Sequence, residues 1–410
     1  MRLGWLDALR GYAALTVVLF HLSPQIIGLD THLAIMRQIN LGKYAVLLFF
    51  LVSGYVIPMS LERHGSLRRF WIGRLCRVYP AYLATIALFA VLAAAGLLHW
   101  HASLRAETAT GVLAHLTMMP DLLGVRGVVR VFWTLTYEMV FYLIVAGLFA
   151  WRIHRHSAWY AAGLALIAWS GPPTALIAHS RHDRRALGVV LLGLAGLTLI
   201  LYLTRRLELV AGAIGIGFVV FPGLNGHPAA ASTVTSSRQG LLLLAVMFAG
   251  TVIYRWQHRQ TGPGPAAVAL SVVTVALAAE LGAITVSAVA ATFLLAYVLR
   301  QRNTPAALTW LGRVSYSLYL LHVIVLFLLP HIVPALGTQP VAIRVLTGIS
   351  YLIAVLALAG LSYRIVEQPG VNLGRRLTRK IDISVAGDPP PTTESAAAGT
   401  GRGENRRERV

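Results

Sequence analysis

The sequence predicts an all-α fold, a polytopic bundle of ten to twelve transmembrane helices with both termini in the cytoplasm. Of the 410 residues, 57% are hydrophobic and only 12% are charged, a composition that excludes an ordinary soluble domain. The net charge is +20, yet the basic residues fall in short clusters between apolar runs. This is the positive-inside pattern. We therefore expect a lipid bilayer rather than nucleic acid as a partner, and a multi-pass protein of the cell membrane.

The first half of the chain contains apolar runs that are long enough to cross a bilayer. They cover residues 11–28, 44–61, 78–98 and 131–151. The stretch between the second and third runs is rich in arginine and ends at Pro80. Charge bias places this basic loop, and the N-terminus with it, in the cytoplasm. Residues 99–130 are amphiphilic and are expected on the outer side.

The second half predicts further spans at 158–178, 187–203, 209–225 and 239–254. The apolar run 266–299 would be about 50 Å long as one helix, which is too long for a single crossing. We therefore expect two short crossings broken near Glu280–Gly282. Runs at 308–334 and 342–364 then return the C-terminus to the cytoplasm.

The chain divides into a membrane domain and a tail. We expect residues 1–370 to form the membrane domain and residues 371–410 to form a cytoplasmic tail that is mostly disordered. From Ile383 onward the tail is rich in Gly, Pro, Ala, Thr, Glu and Arg and lacks apolar periodicity, which is typical of disorder. The single cysteine, Cys76, excludes an internal disulfide.

The first span carries two ionisable side chains, Arg10 and His21. They are eleven residues apart, close to three helical turns, so they share one face and lie ~16 Å apart along the axis. This spacing puts Arg10 near one bilayer surface and His21 near the middle of the hydrocarbon layer, where a titratable group is a functional candidate. The alternative is a histidine that forms a hydrogen bond between helices.

Glu138 is an acidic residue inside the fourth span. It lies seven residues into that span and therefore ~10 Å below the outer surface, at a depth similar to that of His21. A carboxylate at the level of an imidazole can orient its tautomer and raise its basicity. The alternative is a buried pair that holds the first and fourth helices together.

A polar stripe is predicted near the end of the chain. Ser315, Tyr319 and His322 are spaced i, i+4 and i+7 and share one helix face. Such a stripe can line a cavity for a hydroxylated substrate or supply hydrogen bonds between helices. Glu367, followed by Pro369, is expected to end the last span.

Taken in order, several stretches resemble the acyltransferase-3 family of integral membrane O-acyltransferases. The resemblance covers nearly the whole chain apart from the tail, and it is to the stand-alone members, which lack a second, esterase-like domain. Those members include enzymes that acylate macrolide antibiotics and enzymes that modify envelope polysaccharides. The matching stretches are Leu6–His21, Leu48–Tyr55, Arg69–Pro80, Trp133–Tyr142, Gly312–His322 and Glu367–Pro369.

The resemblance implies an enzyme, an acyl-CoA-dependent O-acyltransferase with acyl-CoA as co-substrate and no permanently bound cofactor. The implied acceptor is a hydroxyl group of a sugar-containing molecule such as a macrolide, a glycan or a glycolipid. It further implies that Arg10 and His21 are essential. The other residues that match family motifs are Arg74, Arg77, Pro80, Trp133, Leu135, Glu138, Ser315, Tyr316, Tyr319 and His322.

Residue chemistry and resemblance support one mechanism as a hypothesis. Acyl-CoA binds from the cytoplasm and its thioester extends toward His21, which acts as general base on the acceptor hydroxyl or carries the acyl group. Glu138 orients His21, and Tyr316 or Tyr319 donates to the developing oxyanion. The predicted donor-binding residues, whose guanidinium groups suit phosphate, are Arg10, Arg68, Arg69, Arg74 and Arg77. The predicted substrate-binding residues are Trp133, Tyr142, Ser315, Tyr316, Tyr319 and His322.

Two other interpretations compete with this one. His179 and Asp183 match the His-x-x-x-Asp pattern of soluble acyltransferases, but they fall in a short charged loop without a soluble fold around them, so we assign them no catalytic role. No cluster of zinc ligands is evident, and no metal site is predicted. A secondary transporter that exports a sugar or an antibiotic is the second candidate function, although the internal repeat common in transporters is not evident.

Overall fold

Helices make up the regular structure of the described chain. The computed structural model describes residues 4–172, 180–224, 233–234 and 236–386, and no strand occurs among them. A π-helical turn, Tyr363–Glu367, joins the last two α-helices. The α-helices are α1 (Gly4–Ile27), α2 (Leu29–Gln38), α3 (Leu41–His64), α4 (Leu67–Ala94), α5 (Ala102–Ala106), α6 (Thr108–Thr117), α7 (Trp133–Ala150), α8 (Ser157–Trp169), α9 (Arg181–Thr204), α10 (Glu208–Gly217), α11 (Val220–Leu224), α12 (Ser237–Gln257), α13 (Pro263–Leu281), α14 (Ala283–Val298), α15 (Ala306–Ile332), α16 (Val341–Ser362) and α17 (Gln368–Ala386).

Nine helical segments in the described residues are long and apolar enough to cross a membrane. The first helix, α1, is 24 residues long, about 36 Å, but Asp7, Arg10 and His21 lower its apolar content. It packs along α15 and α3 inside the bundle, so we treat it as a further crossing. The predicted all-α, polytopic bundle is thereby confirmed.

The predicted division of the long apolar run is also confirmed. The first part, α13, ends at Leu281, and α14 begins at Ala283, on either side of Gly282. Gly282 has a φ of +87°, a conformation that glycine adopts at little steric cost. The two helices pack against each other.

The middle of the chain is less regular than the sequence predicts. The α8 helix has only 13 residues, about 20 Å, and residues 173–179 at the end of its predicted span lie outside the described residues. The predicted span 209–225 is not one helix but two, α10 and α11. Neither piece is long enough to cross a ~30 Å hydrocarbon layer alone, so the expectation of one continuous crossing there is wrong.

The predicted basic loop before the third span is helical, so that expectation is wrong as well. Gly65 follows α3 in the left-handed conformation, and the Ser66 hydroxyl accepts a hydrogen bond from the backbone N–H of Arg69 as the N-cap of α4. This cap starts α4 at Leu67 and places Pro80 inside the helix. The four predicted donor-binding arginines of this region lie in its first three turns: Arg68, Arg69, Arg74 and Arg77.

Glycines allow the helices around the site to approach closely. A Cβ on Gly11 would lie 2.6 Å from the Gly312 nitrogen, and a Cβ on Gly312 would lie 2.0 Å from the Asp7 carbonyl oxygen. Gly54 and Gly250 serve the crossing of α3 and α12, where added Cβ atoms would lie 1.7 and 2.1 Å from carbonyl oxygens of the facing helix. Small residues drive such contacts in membranes, where helices gain little from apolar burial.

The His-x-x-x-Asp pattern lies partly in a helix cap. His179 is outside the described residues. The Ser180 hydroxyl accepts a hydrogen bond of 3.1 Å from the Asp183 N–H, and the Asp183 carboxylate accepts one of 2.9 Å from the Ser180 N–H. This reciprocal capping box begins α9, so Asp183 has a structural role.

The last helix continues into the stretch predicted as tail. Pro369 directly follows the π-helical turn Tyr363–Glu367 within one continuous helical segment, so the helix changes type there and does not stop at Glu367. The rest of α17 packs against α4. Residues 387–410, which contain most of the predicted disordered tail, lie outside the described residues.

Candidate active site

A narrow cavity of about 80 Å³ lies between α1, α3, α4, α7 and α15. Its apolar wall consists of Val46, Phe49, Phe50, Val78 and Leu135. Its polar wall contains eight residues that the sequence predicted, namely Arg10, Arg74, Arg77, Glu138, Tyr142, Ser315, Tyr316 and Tyr319. Ser53 and Thr134 complete it and were not singled out from the sequence.

A wider cleft of about 440 Å³, the vestibule, adjoins this cavity. Arg10, Arg74 and Arg77 line both spaces, so the two meet at these arginines. Charge bias predicts that the vestibule lies on the cytoplasmic side. Its remaining lining residues are Leu6, Asp7, Val56, Met59, Ser60, His64, Arg69, Phe70, Gly73, Gly312, Arg313, Tyr363, Glu367, Gln368, Val371, Gly374, Arg375 and Thr378.

Two arginines of the vestibule were missed by the sequence analysis. Arg313 lies within the matching stretch of α15, beside Gly312, so its position was a usable signal. Arg375 lies in α17, within the stretch predicted as tail, where nothing in the sequence distinguished it from neighbouring basic residues. Glu367 is buried at the same wall and accepts a hydrogen bond of 3.0 Å from the Ser317 hydroxyl.

Glu138 is bonded to hydroxyl groups of the cavity. The Tyr142 hydroxyl donates a hydrogen bond to Glu138 Oε1, and the Ser53 hydroxyl donates to the same oxygen over 3.4 Å. The positive charges of Arg10 and Arg74 also interact with this carboxylate. Glu138 therefore partly balances the arginines where the cavity meets the vestibule.

Arg74 is the most enclosed of these cations and is held between aromatic rings. Its side chain is 9% exposed, and its guanidinium carbon lies 5.5 Å from the centre of the Phe70 ring and 5.4 Å from that of Tyr142. Cation–π contacts of this kind fix the guanidinium plane. A buried, fixed cation attracts an anionic ligand more strongly than a surface lysine does.

His21 and His322 form a hydrogen-bonded pair between α1 and α15. His322 Nδ1 lies 2.8 Å from the Tyr319 carbonyl oxygen, so we assign its proton to that bond and a lone pair to Nε2. His21 Nδ1 lies 2.9 Å from the Val17 carbonyl oxygen and 3.2 Å from His322 Nε2. The Val17 carbonyl oxygen and His322 Nε2 are both acceptors, so the proton of His21 also lies on its Nδ1 atom. The Nε2 atom of His21 is then unprotonated and can accept a proton.

The histidine pair lies beyond the end of the cavity that is remote from the vestibule. His21 is partly exposed and His322 is fully buried, and neither lines the cavity. Tyr319 lies between the cavity and the histidine pair, because it lines the cavity and its ring centre is 6.0 Å from that of His322. Arg130, in the turn before α7, interacts electrostatically with His21. By the predicted topology this is the outer side.

The predicted partnership of Glu138 with His21 is wrong. Among the described residues, the hydrogen-bond partners of Glu138 are two cavity hydroxyls, whereas those of His21 are Val17 and His322. The estimate of depth from the sequence failed, because Glu138 lies with Arg10 and Arg74 where the cavity meets the vestibule, whereas the histidine pair lies beyond the other end of the cavity. His322 takes the place that we had expected for Glu138.

Besides His322, three predicted binding residues lie away from the cavity. The Trp133 ring lies under Lys43, whose Nζ is 4.7 Å from the ring centre, and it does not line the cavity. Arg69 lines the vestibule only, and Arg68 lines neither space. Substrate contact by Trp133 and donor contact by Arg68 stay predictions.

The tyrosine hydroxyls on α15 are bonded to backbone carbonyls. Tyr316 donates to the Val78 carbonyl oxygen over 2.9 Å, and Tyr319 donates to the Val131 carbonyl oxygen over 3.1 Å. These bonds tie α15 to α4 and to the turn before α7. Either hydroxyl must break its bond before it can donate to an oxyanion.

Asp121 is a buried carboxyl group in the turns before α7, outside the membrane-spanning helices. It accepts hydrogen bonds from the Thr233 N–H over 3.0 Å and from the Tyr137 hydroxyl over 3.3 Å. Burial raises the pKa of Asp121 to about 6, although these bonds and the charge of Lys43 act in the opposite direction.

In the part of the chain that the structure describes, no three His, Cys, Asp or Glu side chains converge as a metal site requires.

The chain matches one protein family over most of its length. The model of the acyltransferase-3 family, described as an acyltransferase domain, matches residues 3–364. The chain is also similar to Acyltransferase MdmB of Streptomyces mycarofaciens, with 32% identity over 155 residues, which cover 35% of this chain and 38% of that protein. The match thus spans less than half of this relative, and no solved structure matches the chain. Because the family match includes every helix from α1 to α16, the chain belongs to the acyltransferase-3 family.

Proposed function

We propose that the protein is an O-acyltransferase that moves a short acyl group from acyl-CoA to a hydroxyl group of a sugar-containing acceptor. One observation carries the proposal: an arginine-lined vestibule meets, at three shared arginines, a cavity that ends near a histidine pair. Family membership supports acyl transfer as the reaction class. Acyl transfer from acyl-CoA requires a site for the donor's anionic groups, a passage for its thioester and a base for the acceptor hydroxyl, arranged in series.

The vestibule suits the nucleotide part of acyl-CoA. Coenzyme A carries phosphate groups, which guanidinium groups bind through paired, charge-assisted hydrogen bonds. We assign the phosphates to Arg69, Arg313 and Arg375, which line only the vestibule. The arm that carries the thioester then passes the three shared arginines and enters the cavity, whose aromatic and aliphatic side chains suit an acyl group.

His21 is the proposed base. Its Nε2 atom takes the proton of the acceptor hydroxyl while the acceptor oxygen bonds to the thioester carbon. The carbon–sulfur bond then breaks, and the departing thiolate takes up the proton that His21 holds. His322 accepts the Nδ1–H bond of His21 throughout, so it orients the ring and stabilises the imidazolium. If His21 carries the acyl group instead, the same nitrogen is the nucleophile.

Tyr319 lies between the acyl group and the base. Because its hydroxyl donates to the Val131 carbonyl oxygen and its ring lies against the cavity, transfer needs this side chain to turn away or to break that bond. A released hydroxyl can then donate to the thioester oxygen as charge develops there. Acyl-donor binding and activation of this tyrosine are thus coupled in our proposal.

The acceptor approaches from the side opposite the vestibule. His21 is partly exposed there, with Arg130 and His32 as its charged or titratable neighbours. We propose a secondary hydroxyl of a sugar as the reacting group, on a macrolide or on an envelope glycan or glycolipid. Donor and acceptor then meet at the histidine pair from opposite sides.

Transfer from labelled acetyl-CoA tests the proposal. Membranes that contain wild type or the His21→Ala variant are incubated with radiolabelled acetyl-CoA and a glycosylated macrolide, a free sugar or a glycolipid. We expect a labelled ester with wild type and at least a ~100-fold loss with His21→Ala. His115→Ala is the matched control, because His115 is a partly buried histidine outside the cavity and the vestibule.

Two results would contradict the proposal. Full transfer by the His21→Ala variant at normal expression would remove His21 from the chemistry. No transfer from any acyl-CoA, combined with labelled sugar crossing sealed vesicles, would favour the transporter instead.

A further inference from the structure

The helix α17 has three different surfaces. One packs against α4, where a Cβ on Gly370 would lie 2.4 Å from the Cys76 carbonyl oxygen and a Cβ on Gly374 would lie 3.0 Å from Cys76 Cβ. The next surface, which includes Val371 and Arg375, forms a wall of the vestibule. The third surface is exposed and contains both apolar and basic side chains.

The exposed apolar side chains of α17 continue a stripe that begins on α16. Leu361 and Ile365 are 53% and 62% exposed, and Leu373 and Leu377 are 52% and 40% exposed. Most of the apolar surface of α16 is not buried inside the bundle, so it faces lipid in a membrane protein. The lipid-facing surface of α16 therefore continues onto α17.

Basic side chains lie beside this stripe. Arg376, Arg379 and Lys380 are exposed. At ~100° per residue, Arg376 and Arg379 fall on the side of α17 opposite its glycine contact with α4. The two exposed leucines lie between these sides, with Lys380 next to them. A helix with an apolar edge beside a basic edge is typical of helices that lie in the interface of an anionic membrane.

We propose that α17 binds the anionic phospholipid surface of the cytoplasmic leaflet. Leu373 and Leu377 enter the boundary between headgroups and acyl chains, and Arg376, Arg379 and Lys380 contact lipid phosphates. Because the same helix forms a wall of the vestibule, lipid binding holds that wall against α4 and strengthens binding of the acyl donor. This last step rests on the proposed function, in which the vestibule binds acyl-CoA.

Fluorescence of a labelled α17 tests the lipid contact directly. The full-length chain with Cys76→Ala and Leu373→Cys carries an environment-sensitive dye and is reconstituted in nanodiscs. The discs contain phosphatidylcholine alone or with about one-third phosphatidylglycerol, a content that gives a clear negative surface potential. We expect a blue shift in the anionic discs relative to the neutral ones. Equal emission in both discs would overturn the proposal.

Charge variants identify the side chains responsible. Changing Arg376, Arg379 and Lys380 together to Gln is expected to abolish the blue shift. The matched control removes three exposed arginines elsewhere on the predicted cytoplasmic side and is expected to keep it. The control positions are Arg205, Arg206 and Arg302. A shift lost equally in both triple variants would overturn the assignment to α17.

Equilibrium binding of radiolabelled acetyl-CoA to the same discs tests the coupling. In anionic discs we expect the α17 triple variant to bind acetyl-CoA at least about fivefold more weakly than the control triple variant does. A fivefold change in affinity corresponds to the contact of one basic residue with an anionic surface. In neutral discs the two should bind alike. Equal binding in anionic discs would overturn the coupling. If wild type shows the blue shift but binds no acyl-CoA, the lipid contact stands and the proposed function fails.

Discussion

Replacing His322 tests how His21 is held. His322→Phe keeps a ring of similar size but removes the Nε2 acceptor that lies 3.2 Å from His21 Nδ1. The position is 0% exposed, so water cannot supply a replacement acceptor. A hydrogen bond to a group that becomes charged contributes about 1.5–3 kcal/mol, so kcat should fall roughly 10- to 100-fold. His322 lines neither the cavity nor the vestibule, so KM for acyl-CoA should change little.

Steady-state acetyl transfer, normalised to folded protein, measures this effect. His322→Gln retains an acceptor and should recover part of the lost rate. His115→Phe is the matched control, because His115 is partly buried and both its ring nitrogens bond to backbone groups, at 2.6 Å to Gly111 and at 3.0 Å to Val128. That control should lose stability without losing kcat. A normal kcat in folded His322→Phe, or an equal loss in the control, would refute our account of His21.

Three further predictions concern the vestibule, a helix crossing and a buried acid. Arg313→Gln and Arg375→Gln should each raise KM for acyl-CoA roughly 10-fold with little change in kcat, because each removes a charge-assisted contact made before the chemical step; initial rates over a range of acyl-CoA concentrations measure this. Gly312→Val places a Cβ 2.0 Å from a carbonyl oxygen of α1 and should reduce the yield of folded protein on size exclusion, whereas Gly163→Ala, with nothing within 4 Å of its Cβ, should not. The pKa of Asp121 is about 6 in the folded chain against 3.8 ordinarily, so the folded state binds more protons and stability should fall as pH rises from about 4 to about 6. Thermal unfolding of Asp121→Asn should lack this slope, and a slope of opposite sign in wild type would contradict the assignment.

The sequence predicted the presence of the helices better than the residues at which they begin. Long apolar runs predicted the bundle, and the helix-length limit predicted the break at Gly282. The start of α4 was missed because its arginines have the polarity of a loop although Ser66 caps a helix there. Composition does not distinguish the charged end of a helix from a charged loop, and only the cap residue does. The interruption between α10 and α11 did have a signal, because Pro222 lacks a backbone N–H and its ring opposes a continuous helix through Phe218.

Four cavity residues, Arg10, Glu138, Ser315 and Tyr319, were predictable because a polar group inside an apolar span is costly and therefore conspicuous. The other four came from the basic stretch or from the family resemblance. The pairing of such groups was not predictable from depth alone. Glu138 and His21 were placed at one level, yet Glu138 bonds to Tyr142 and His21 bonds to His322. Arg375 was missed for a different reason, since its place in the vestibule depends on packing of α17 against α4.

A pattern that predicts the histidine pair is nevertheless present in the chain. Gly11 and His21 are ten residues apart, and Gly312 and His322 are ten residues apart as well. Both glycines lie where α1 and α15 come close together. The histidines of these helices are also in contact, so the helices run parallel. Two parallel helices that touch at one pair of residues stay in register over the following turns. Equal glycine-to-histidine spacing on two spans is therefore a physical argument for contact, and it places His322 beside His21 where a comparison of depths had placed Glu138.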